Sequence, residues 1–337
     1  MIAFATPAAF AAALHDLPLP DGHSRAAAKA RQAQLTKPPG SLGRLEDIAT
    51  FMAGWQRRAI PTLDRGRVVV FAGNHGVAAR GVSAFPPSVT AQMVANFDRG
   101  GAAINALAAA AGLQLRVVPL DLDRPTADIV EAPAMTEAEC LAALNAGAAA
   151  VNPELDLIVL GEMGIANSTA AAALALASFG GDADDWVGPG TGVEGAALAA
   201  KRHAVTAAMA RHGDAKGDSF ETLRRLGGRE IAAIAGAVVA ARRVGVPVML
   251  DGFICTAAIA PLAAANPAIV DHCVAGHVSA EPGHRRLLDR LSLDPLLSLG
   301  MRLGEGSGGA VAACVVRSAL AAHAGMATFA EAGVATA

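Results

Sequence analysis

A glycine-rich turn followed by a lysine is the first candidate for chemistry in this sequence. The segment VGPGTGVEG (187–195) carries four glycines, and backbone N–H groups in such turns can surround an anion. A helix beginning near Glu194 would add the positive end of its dipole, and Lys201 could add a positive charge. No Gly-Lys-Ser/Thr follows, so a nucleoside triphosphate is not indicated. A phosphate site and a plain loop both remain open.

A glutamate among glycines is the second candidate. Glu305 stands among four glycines in LGEGSGG (303–309). Glycines let backbone approach a ligand closely, and a glutamate in a partly desolvated pocket can act as a general base. A solvated loop glutamate is the commoner meaning of such a pattern. The segment predicts a catalytic base only if it lies in a pocket.

A second carboxylate ends an apolar run. Glu162 lies near the start of GEMGIANSTA (161–170). Asn167, Ser168 and Thr169 follow, and residues of these types cap helices. Capping accounts for all three without excluding contact with a ligand.

A segment near position 280 carries two histidines and a glutamate close together. GHVSAEPGH (276–284) brings His277, Glu281 and His284 together. A metal-dependent hydrolase is an alternative there, although Pro-Gly breaks the regular i, i+4 spacing of helical zinc motifs.

A long post-strand segment could hold a flat heterocycle. FAGNHGVAARGVSAFPPSVTAQM (71–93) contains Asn74, His75, Ser83, Phe85 and Gln92. An aromatic ring with small polar neighbours suits such a ligand, but a loop phenylalanine is more often a core anchor.

Short apolar runs between alanine-rich stretches define the elements that must position these residues. The runs predict strands buried on both faces of a parallel sheet. They cover 68–73, 113–123, 155–164, 246–252 and 268–277. The stretches between them are long enough for crossover helices, at 88–112, 137–150, 167–179 and 229–243. This alternation predicts an α/β fold with a mainly parallel, Rossmann-like sheet. The candidate residues follow the strands, where ligands bind in such sheets.

The two ends of the chain lack convincing strands. Residues 1–62 and 306–337 are predicted to form helices that pack together as a small subdomain beside an α/β domain spanning 63–305. The polar segment 212–228 is expected to be a surface loop leading into a helix.

Composition excludes several classes of protein. The 337 residues have a net charge of −3 and are 53% hydrophobic, which rules out a disordered chain and disfavours a nucleic-acid binder. The apolar stretches are rich in alanine and glycine, and the N-terminus has no charged region before its apolar run, so neither a membrane span nor a signal peptide is expected. The four cysteines form no CxxC. We expect a soluble cytoplasmic protein.

Six motifs together resemble a known family. In order they are LTKPPGSLGRLE, FAGNHGVAARGVSAFP, GEMGIANSTAAA, VGPGTG, SAEPGHR and LGMRLGEGSGG. Their order and spacing over roughly 35–320 resemble the nicotinate-nucleotide–dimethylbenzimidazole phosphoribosyltransferases. The resemblance implies transfer of ribose 5-phosphate from nicotinate mononucleotide to 5,6-dimethylbenzimidazole, giving α-ribazole 5′-phosphate in cobalamin biosynthesis. It also implies a homodimer that uses neither a metal nor a cofactor.

The resemblance also implies roles for individual residues. Glu305 would be the general base, and Glu162 a second carboxylate near the base and ribose. The phosphate would be bound by Gly190, Gly192, Lys201 and Ser279. The wall of the benzimidazole pocket would be formed by Ser83, Phe85 and Gln92. Further substrate contacts would be made by Gly164, Asn167 and Gly306. The chain departs from many relatives at Asn74 and Pro189, where Asp and Arg are common. A non-catalytic binder of nucleotides or cobamide precursors is a further alternative.

Overall fold

Five parallel strands form the centre of the molecule. The computed structural model describes residues 2–335. Its strands are β1 (Gly66–Ala72), β2 (Gln114–Pro119), β3 (Leu157–Met163), β4 (Val248–Leu250) and β5 (Cys273–Ala275). They pair in the order β2-β1-β3-β4-β5, every pair parallel. The predicted α/β fold with a parallel, Rossmann-like sheet is confirmed.

Helices cover both faces of this sheet. In chain order they are α1 (Pro7–Ala13), α2 (Gly22–Gln34), α3 (Arg44–Gln56), α4 (Ser88–Asp98), α5 (Ala103–Ala110), α6 (Glu137–Ala148), α7 (Asn167–Phe179), α8 (Ala183–Trp186), α9 (Gly195–His212), α10 (Ser219–Leu226), α11 (Arg229–Val244), α12 (Phe253–Ala258), α13 (Ala260–Ala265), α14 (Pro282–Leu291), α15 (Ser307–Gly325) and α16 (Phe329–Ala332). Short 3-10 helices span Gly76–Arg80, Gly213–Ala215 and Pro267–His272.

Successive strand residues pack into two different hydrophobic cores. Val69 and Ile158 face a core that includes residues of α6, α7 and α10 to α13. Val68, Val159 and Met249 face the opposite core, formed with α3, α5 and α15. Because both faces are covered, the strands appear in sequence as continuous apolar runs. Each fully buried Val, Leu or Ile side chain contributes roughly 1.5–3 kcal/mol to stability.

Alanine and glycine allow unusually close helix packing. A Cβ added to Gly147 in α6 would overlap the carbonyl oxygen of Ala233 in α11, and one added to Gly236 would overlap that of Leu144. The backbones of the two helices therefore touch, which larger side chains would prevent. Since α11 also packs on β1 and β3, this pair fixes a second helix layer on the sheet.

Helix α15 is a core helix. It is the one helix in residues 2–335 that is long and apolar enough to cross a membrane by length and composition. Half of that stretch is buried within the molecule, and the helix packs on α3, α5 and β3. Its apolar character is therefore explained by packing.

The chain ends meet only in part. As predicted, α2 packs on α3 and α15 packs on α3. Helix α1 departs from the prediction, because it packs on α10 and its Phe10 ring lies 6.4 Å from that of Phe220, in the core of the other sheet face. The division into domains at 62/63 and 305/306 stays a prediction.

Two local expectations are wrong. The segment 212–228 is not a surface loop, because Gly213–Ala215 and α10 are helical and α10 buries Phe220, Leu223 and Leu226. The first half of the run 268–277 belongs to the 3-10 helix Pro267–His272, and only the three residues of β5 pair with β4.

Candidate active site

A cavity opens at the carboxyl ends of the strands. Its walls are the segments 162–168, 252–254 and 277–281, which follow β3, β4 and β5, together with loops at 189–193 and 302–304. Val82, Ser83 and Ala84 close another side. This position is where parallel α/β sheets bind ligands.

Buried carboxylates gather at the inner end of this cavity. Glu162 ends β3 and lines the wall, and the side-chain amide of Asn167 donates a hydrogen bond to its Oε2. Burial raises the pKa of Glu162 to about 8, and the negative charges of Asp251, Glu230 and Glu305 act in the same direction. Glu162 is therefore largely protonated at neutral pH.

Asp251 joins the end of β4 to the start of α15. Its carboxylate accepts hydrogen bonds from the backbone N–H groups of Gly306 at 3.1 Å and Gly309 at 2.8 Å. Burial raises the pKa of Asp251 to about 7, although these bonds oppose the rise. The Nε2 atom of His277 lies 3.6 Å from Asp251 Oδ1. The site is thus anchored where two elements meet.

Glu305 adopts a left-handed backbone conformation. Its φ of +63° is followed by +80° at Gly306, the N-cap of α15. For a residue with a Cβ, this costs about 1–2 kcal/mol. The N–H of Glu305 donates to the carbonyl oxygen of Glu162 at 3.1 Å, which ties the two residues together.

The side chain of Glu305 has the properties of a base. Burial raises its pKa to about 7, and the charge of Asp251 contributes. Its Oε2 is buried without a hydrogen-bond partner among residues 2–335. Glu305 directly follows Gly304, which lines the cavity, but is itself set behind that wall. A carboxylate with a pKa near neutrality can accept a proton there and release it again.

The opposite end of the cavity carries positive charge. Lys201 is buried in α9, and its Nζ donates to the carbonyl oxygen of Gly188 at 2.7 Å and to the hydroxyl of Ser168 at 2.9 Å. Burial lowers the pKa of Lys201 to about 8, while the carboxylate of Glu281 opposes that shift. The predicted helix after the turn begins at Gly195, with Glu194 as its N-cap, so the prediction is confirmed.

Two more side chains hold the glycine-rich turn. Glu281 Oε1 accepts a hydrogen bond from the N–H of Gly190 at 2.6 Å, and Arg302 donates to the carbonyl oxygen of Gly190 at 3.1 Å. The N–H groups of Gly192 and Val193 donate to the carbonyl oxygen of Pro189. The turn is therefore fixed by internal bonds as well as by three charged side chains.

The histidines after β5 do not form a metal site. His284 Nδ1 accepts from the N–H of Ser279 at 2.9 Å, so its Nε2 carries the proton and donates to Thr256 Oγ1 at 3.1 Å. Both ring nitrogens are engaged, and burial lowers the pKa of His284 to about 3. Within the part of the chain that the structure describes, no three His, Cys, Asp or Glu side chains are placed to hold a metal. His284 instead positions Ser279.

The comparisons agree with this arrangement. Residues 17–334 match the model of a phosphoribosyltransferase family. The chain belongs to this family. It is 67% identical over 335 residues to the nicotinate-nucleotide–dimethylbenzimidazole phosphoribosyltransferase of Novosphingobium aromaticivorans, which covers 99% of both chains. The enzyme of the same name from Cereibacter sphaeroides is 58% identical, over 98% of both chains.

A solved member of the family shares the fold. The crystal structure of the phosphoribosyltransferase of this name from Thermus thermophilus is 42% identical to the chain. The two superpose with a TM-score of 0.86, over 94% of this chain and all of that one. Membership of the family therefore rests on sequence and on fold together.

The cavity brings together most of the residues expected to bind substrate in this family. Seven of them line it: Ser83, Glu162, Gly164, Asn167, Gly190, Lys201 and Ser279. Gly192 and Glu305 each adjoin a lining residue without lining the cavity, and Gly306 lies one residue beyond Glu305. Phe85 and Gln92 lie outside the wall and are exposed to solvent, Phe85 to 49%. In the single chain these last two residues do not reach the cavity wall.

The capping hypothesis for the segment after β3 is wrong. Helix α7 begins at Asn167, and its N-cap is Ala166, with a φ of +72°. The side chain of Asn167 bonds to Glu162 and that of Ser168 accepts from Lys201. These polar groups are therefore committed to the two ends of the cavity.

Behind the site is a buried pair of which the sequence indicated His75 but not its partner Glu230. His75 Nε2 lies 2.6 Å from Glu230 Oε1, and both side chains are fully buried. Glu230 stands in the first turn of α11, directly before the apolar run 231–241. A glutamate in such a helix is the signal that could have revealed it, since buried carboxylates require partners.

Proposed function

We propose that the chain transfers ribose 5-phosphate from nicotinate mononucleotide to 5,6-dimethylbenzimidazole. The products are α-ribazole 5′-phosphate and nicotinate, in the nucleotide-loop stage of cobalamin biosynthesis. The names of relatives that are 57–67% identical over nearly the whole chain support this reaction. Metal ions and cofactors have no part in the proposal.

One observation carries the proposal. A single cavity has at one end the lining carboxyl group of Glu162 with Glu305 directly behind the wall, both with raised pKa values, and at the other Lys201 beside a glycine-rich turn. An acceptor that must lose a proton and a donor that carries a phosphate require opposite electrostatic environments. The two ends of the cavity provide them.

Glu305 is the proposed general base. One nitrogen of the benzimidazole attacks the anomeric carbon on the face opposite the nicotinate, and the bond from that carbon to the pyridinium nitrogen breaks. As the new bond forms, the N–H on the other benzimidazole nitrogen becomes acidic, and Glu305 accepts this proton. The nicotinate leaves as a neutral pyridine ring and needs no acid. Attack on the opposite face converts a β-nucleotide into an α-nucleotide.

The remaining side chains bind the substrates in this proposal. Lys201, Ser279 and the turn at Gly190 bind the phosphate. Glu162 is a second carboxylate near the base and ribose, held by Asn167. Ser83 belongs to the wall beside the benzimidazole, and Phe85 and Gln92, which lie outside the cavity wall in the single chain, stay predicted members of that wall.

Nicotinate release tests the reaction directly. Metal-stripped protein is incubated with nicotinate mononucleotide and dimethylbenzimidazole, and nicotinate is followed by chromatography. We expect release that depends on the benzimidazole. Release without the benzimidazole would indicate a hydrolase, and the absence of release from folded protein with an intact donor would contradict the proposal.

We further propose a homodimer in the cytoplasm. Phe85, Leu299 and Leu303 are large apolar side chains exposed to solvent, and such surface supports association with a second copy. All four cysteines are free, three of them buried, which suits a reducing compartment. Light scattering after size-exclusion chromatography should give twice the 33.7 kDa chain mass.

A further inference from the structure

Glu281 occupies the turn at which the donor phosphate is proposed to bind. It precedes α14 and is buried, with 6% of the residue exposed. Its Oε1 accepts the N–H of Gly190 at 2.6 Å. Its Oε2 is buried and accepts no hydrogen bond from any residue in 2–335. The carboxylate is thus held by a single strong bond.

The bond to Glu281 engages a backbone N–H group that a bound phosphate would otherwise use. The N–H groups of Gly192 and Val193 already donate to the carbonyl oxygen of Pro189, which closes the turn. The N–H of Gly190 is directed instead at the Glu281 carboxylate. Charge-assisted hydrogen bonds of this kind are among the strong ones in proteins. In the free protein the Glu281 carboxylate therefore occupies the position at the N–H of Gly190 that an external anion would take.

Electrostatics favour exchange of one anion for another. Lys201 is buried beside the turn, and the charge of Glu281 raises its pKa against the effect of burial. Arg302 contacts the same turn. A phosphate monoester carries about −1.5 to −2 charge at pH 7. It would gain from these two cations, but a carboxylate remaining at Gly190 would repel it.

We propose that the Glu281 carboxylate occupies the phosphate-binding position in the free protein, and that the donor phosphate displaces it from the N–H of Gly190. This inference rests on the proposed function, because it concerns the phosphate of the same donor. Glu281 then sets the affinity for the donor: each binding event must break its bond to Gly190. The residue is a specificity determinant that lowers affinity for weakly held anions.

Whether Glu281→Gln raises or lowers affinity for the donor distinguishes this role from simple support of the turn. Glu281→Gln keeps the size and one acceptor oxygen but removes the charge. If Glu281 competes with the phosphate, the variant binds nicotinate mononucleotide more tightly. If Glu281 only supports the turn, the variant binds it equally well or more weakly.

Calorimetric titration at pH 7 measures the direction of this change, because Lys201 is then largely protonated. We expect the dissociation constant for nicotinate mononucleotide to fall on the order of tenfold in Glu281→Gln, since a neutral hydrogen bond is easier to displace than a charged one. Nicotinate riboside, which lacks the phosphate, should bind the variant and the wild type alike. Glu194→Gln is the matched control, because Glu194 is exposed beside the same turn and loses the same charge.

Two results would overturn the inference. The first is unchanged or weakened binding of the mononucleotide by Glu281→Gln in a protein whose wild type carries out the transfer. The second is a crystal structure of the wild type with the mononucleotide bound in which Glu281 Oε1 still accepts from Gly190. That structure needs no variant, so it decides the matter if Glu281→Gln fails to fold. Failure of the transfer reaction in the wild type would count against the proposed function instead, and inorganic phosphate would then replace the mononucleotide in both tests.

Discussion

Asp251 Oδ1 accepts a hydrogen bond from the N–H of Gly309 at 2.8 Å, which links the end of β4 to the first turn of α15. The two residues are 58 positions apart. Glu305 lies immediately before this helix, so Asp251 fixes the segment that carries the proposed base. The same carboxylate also raises the pKa of Glu305, in addition to the effect of burial. One buried aspartate thus contributes to both the position and the protonation of Glu305.

Replacing Glu305 by Gln should remove the base and leave the fold. We expect turnover to fall on the order of a hundred- to ten-thousand-fold, the usual contribution of a general base. In the wild type, turnover should rise with pH through about 7, since Glu305 must lose its proton before it can accept another. Steady-state nicotinate release between pH 5.5 and 8.5 measures both effects.

Thermal unfolding of Glu305→Gln distinguishes a catalytic effect from a folding defect. A melting temperature close to that of the wild type is expected. Full turnover in the folded variant would remove Glu305 as the base and indicate that another group accepts the proton.

The sequence predicted the framework of this site better than its details. The strands were recognisable because both faces of the sheet are buried, so that neighbours such as Val68 and Val69 are both apolar and the runs are continuous. Helix α10 was mistaken for a loop because its polar side chains hid Phe220, Leu223 and Leu226, although their spacing of three residues is helical.

Partners distant in the chain could not be predicted from spacing. Asn167 was interpreted as a cap because local sequence favours that role, and its bond to Glu162 depends on how β3 leads into α7. The bond between Glu281 and Gly190 spans 91 positions. Such contacts follow only from the order of the strands in the sheet.

Replacing Lys201 by Ala should mainly weaken donor binding. The variant loses the charge beside the turn and the bonds to Gly188 and Ser168. We expect KM for nicotinate mononucleotide to rise by more than kcat falls. Because burial lowers the pKa of Lys201 to about 8, donor affinity in the wild type should decline as pH rises through that value.

Lys216→Ala provides the control for charge, since Lys216 is exposed to solvent. Its kinetic constants should match those of the wild type. An unchanged KM in Lys201→Ala would argue against the role of this residue in binding the phosphate.

Replacing Gly304 by Ala should damage the carboxylate end of the cavity. An added Cβ would overlap Glu162 Oε1, and the φ of +85° strains any residue with a side chain. We expect a loss of turnover together with a fall in stability of about 1–2 kcal/mol from the strain alone. Gly300→Ala separates the two causes: its φ is +67°, but its Cβ would meet no atom of residues 2–335 within 4 Å. Equal turnover in the two variants would contradict the importance of the contact with Glu162.

Replacing Glu162 by Gln should change how stability depends on pH. Burial raises the pKa of Glu162 to about 8 in the folded protein, against roughly 4.3 for an unfolded glutamate. Between these values the folded state retains a proton that the unfolded state releases, so this group makes the protein less stable as pH rises. Each unit of pKa difference corresponds to about 1.4 kcal/mol.

The variant lacks this group, so we expect it to gain in melting temperature relative to the wild type between pH 5 and pH 7.5. Glu194→Gln, at an exposed position, should keep the same difference from the wild type at both pH values. If the difference in melting temperature between Glu162→Gln and the wild type also stayed the same at both pH values, Glu162 would be ionised at neutral pH. The carboxylate end of the cavity would then carry more negative charge than its burial indicates.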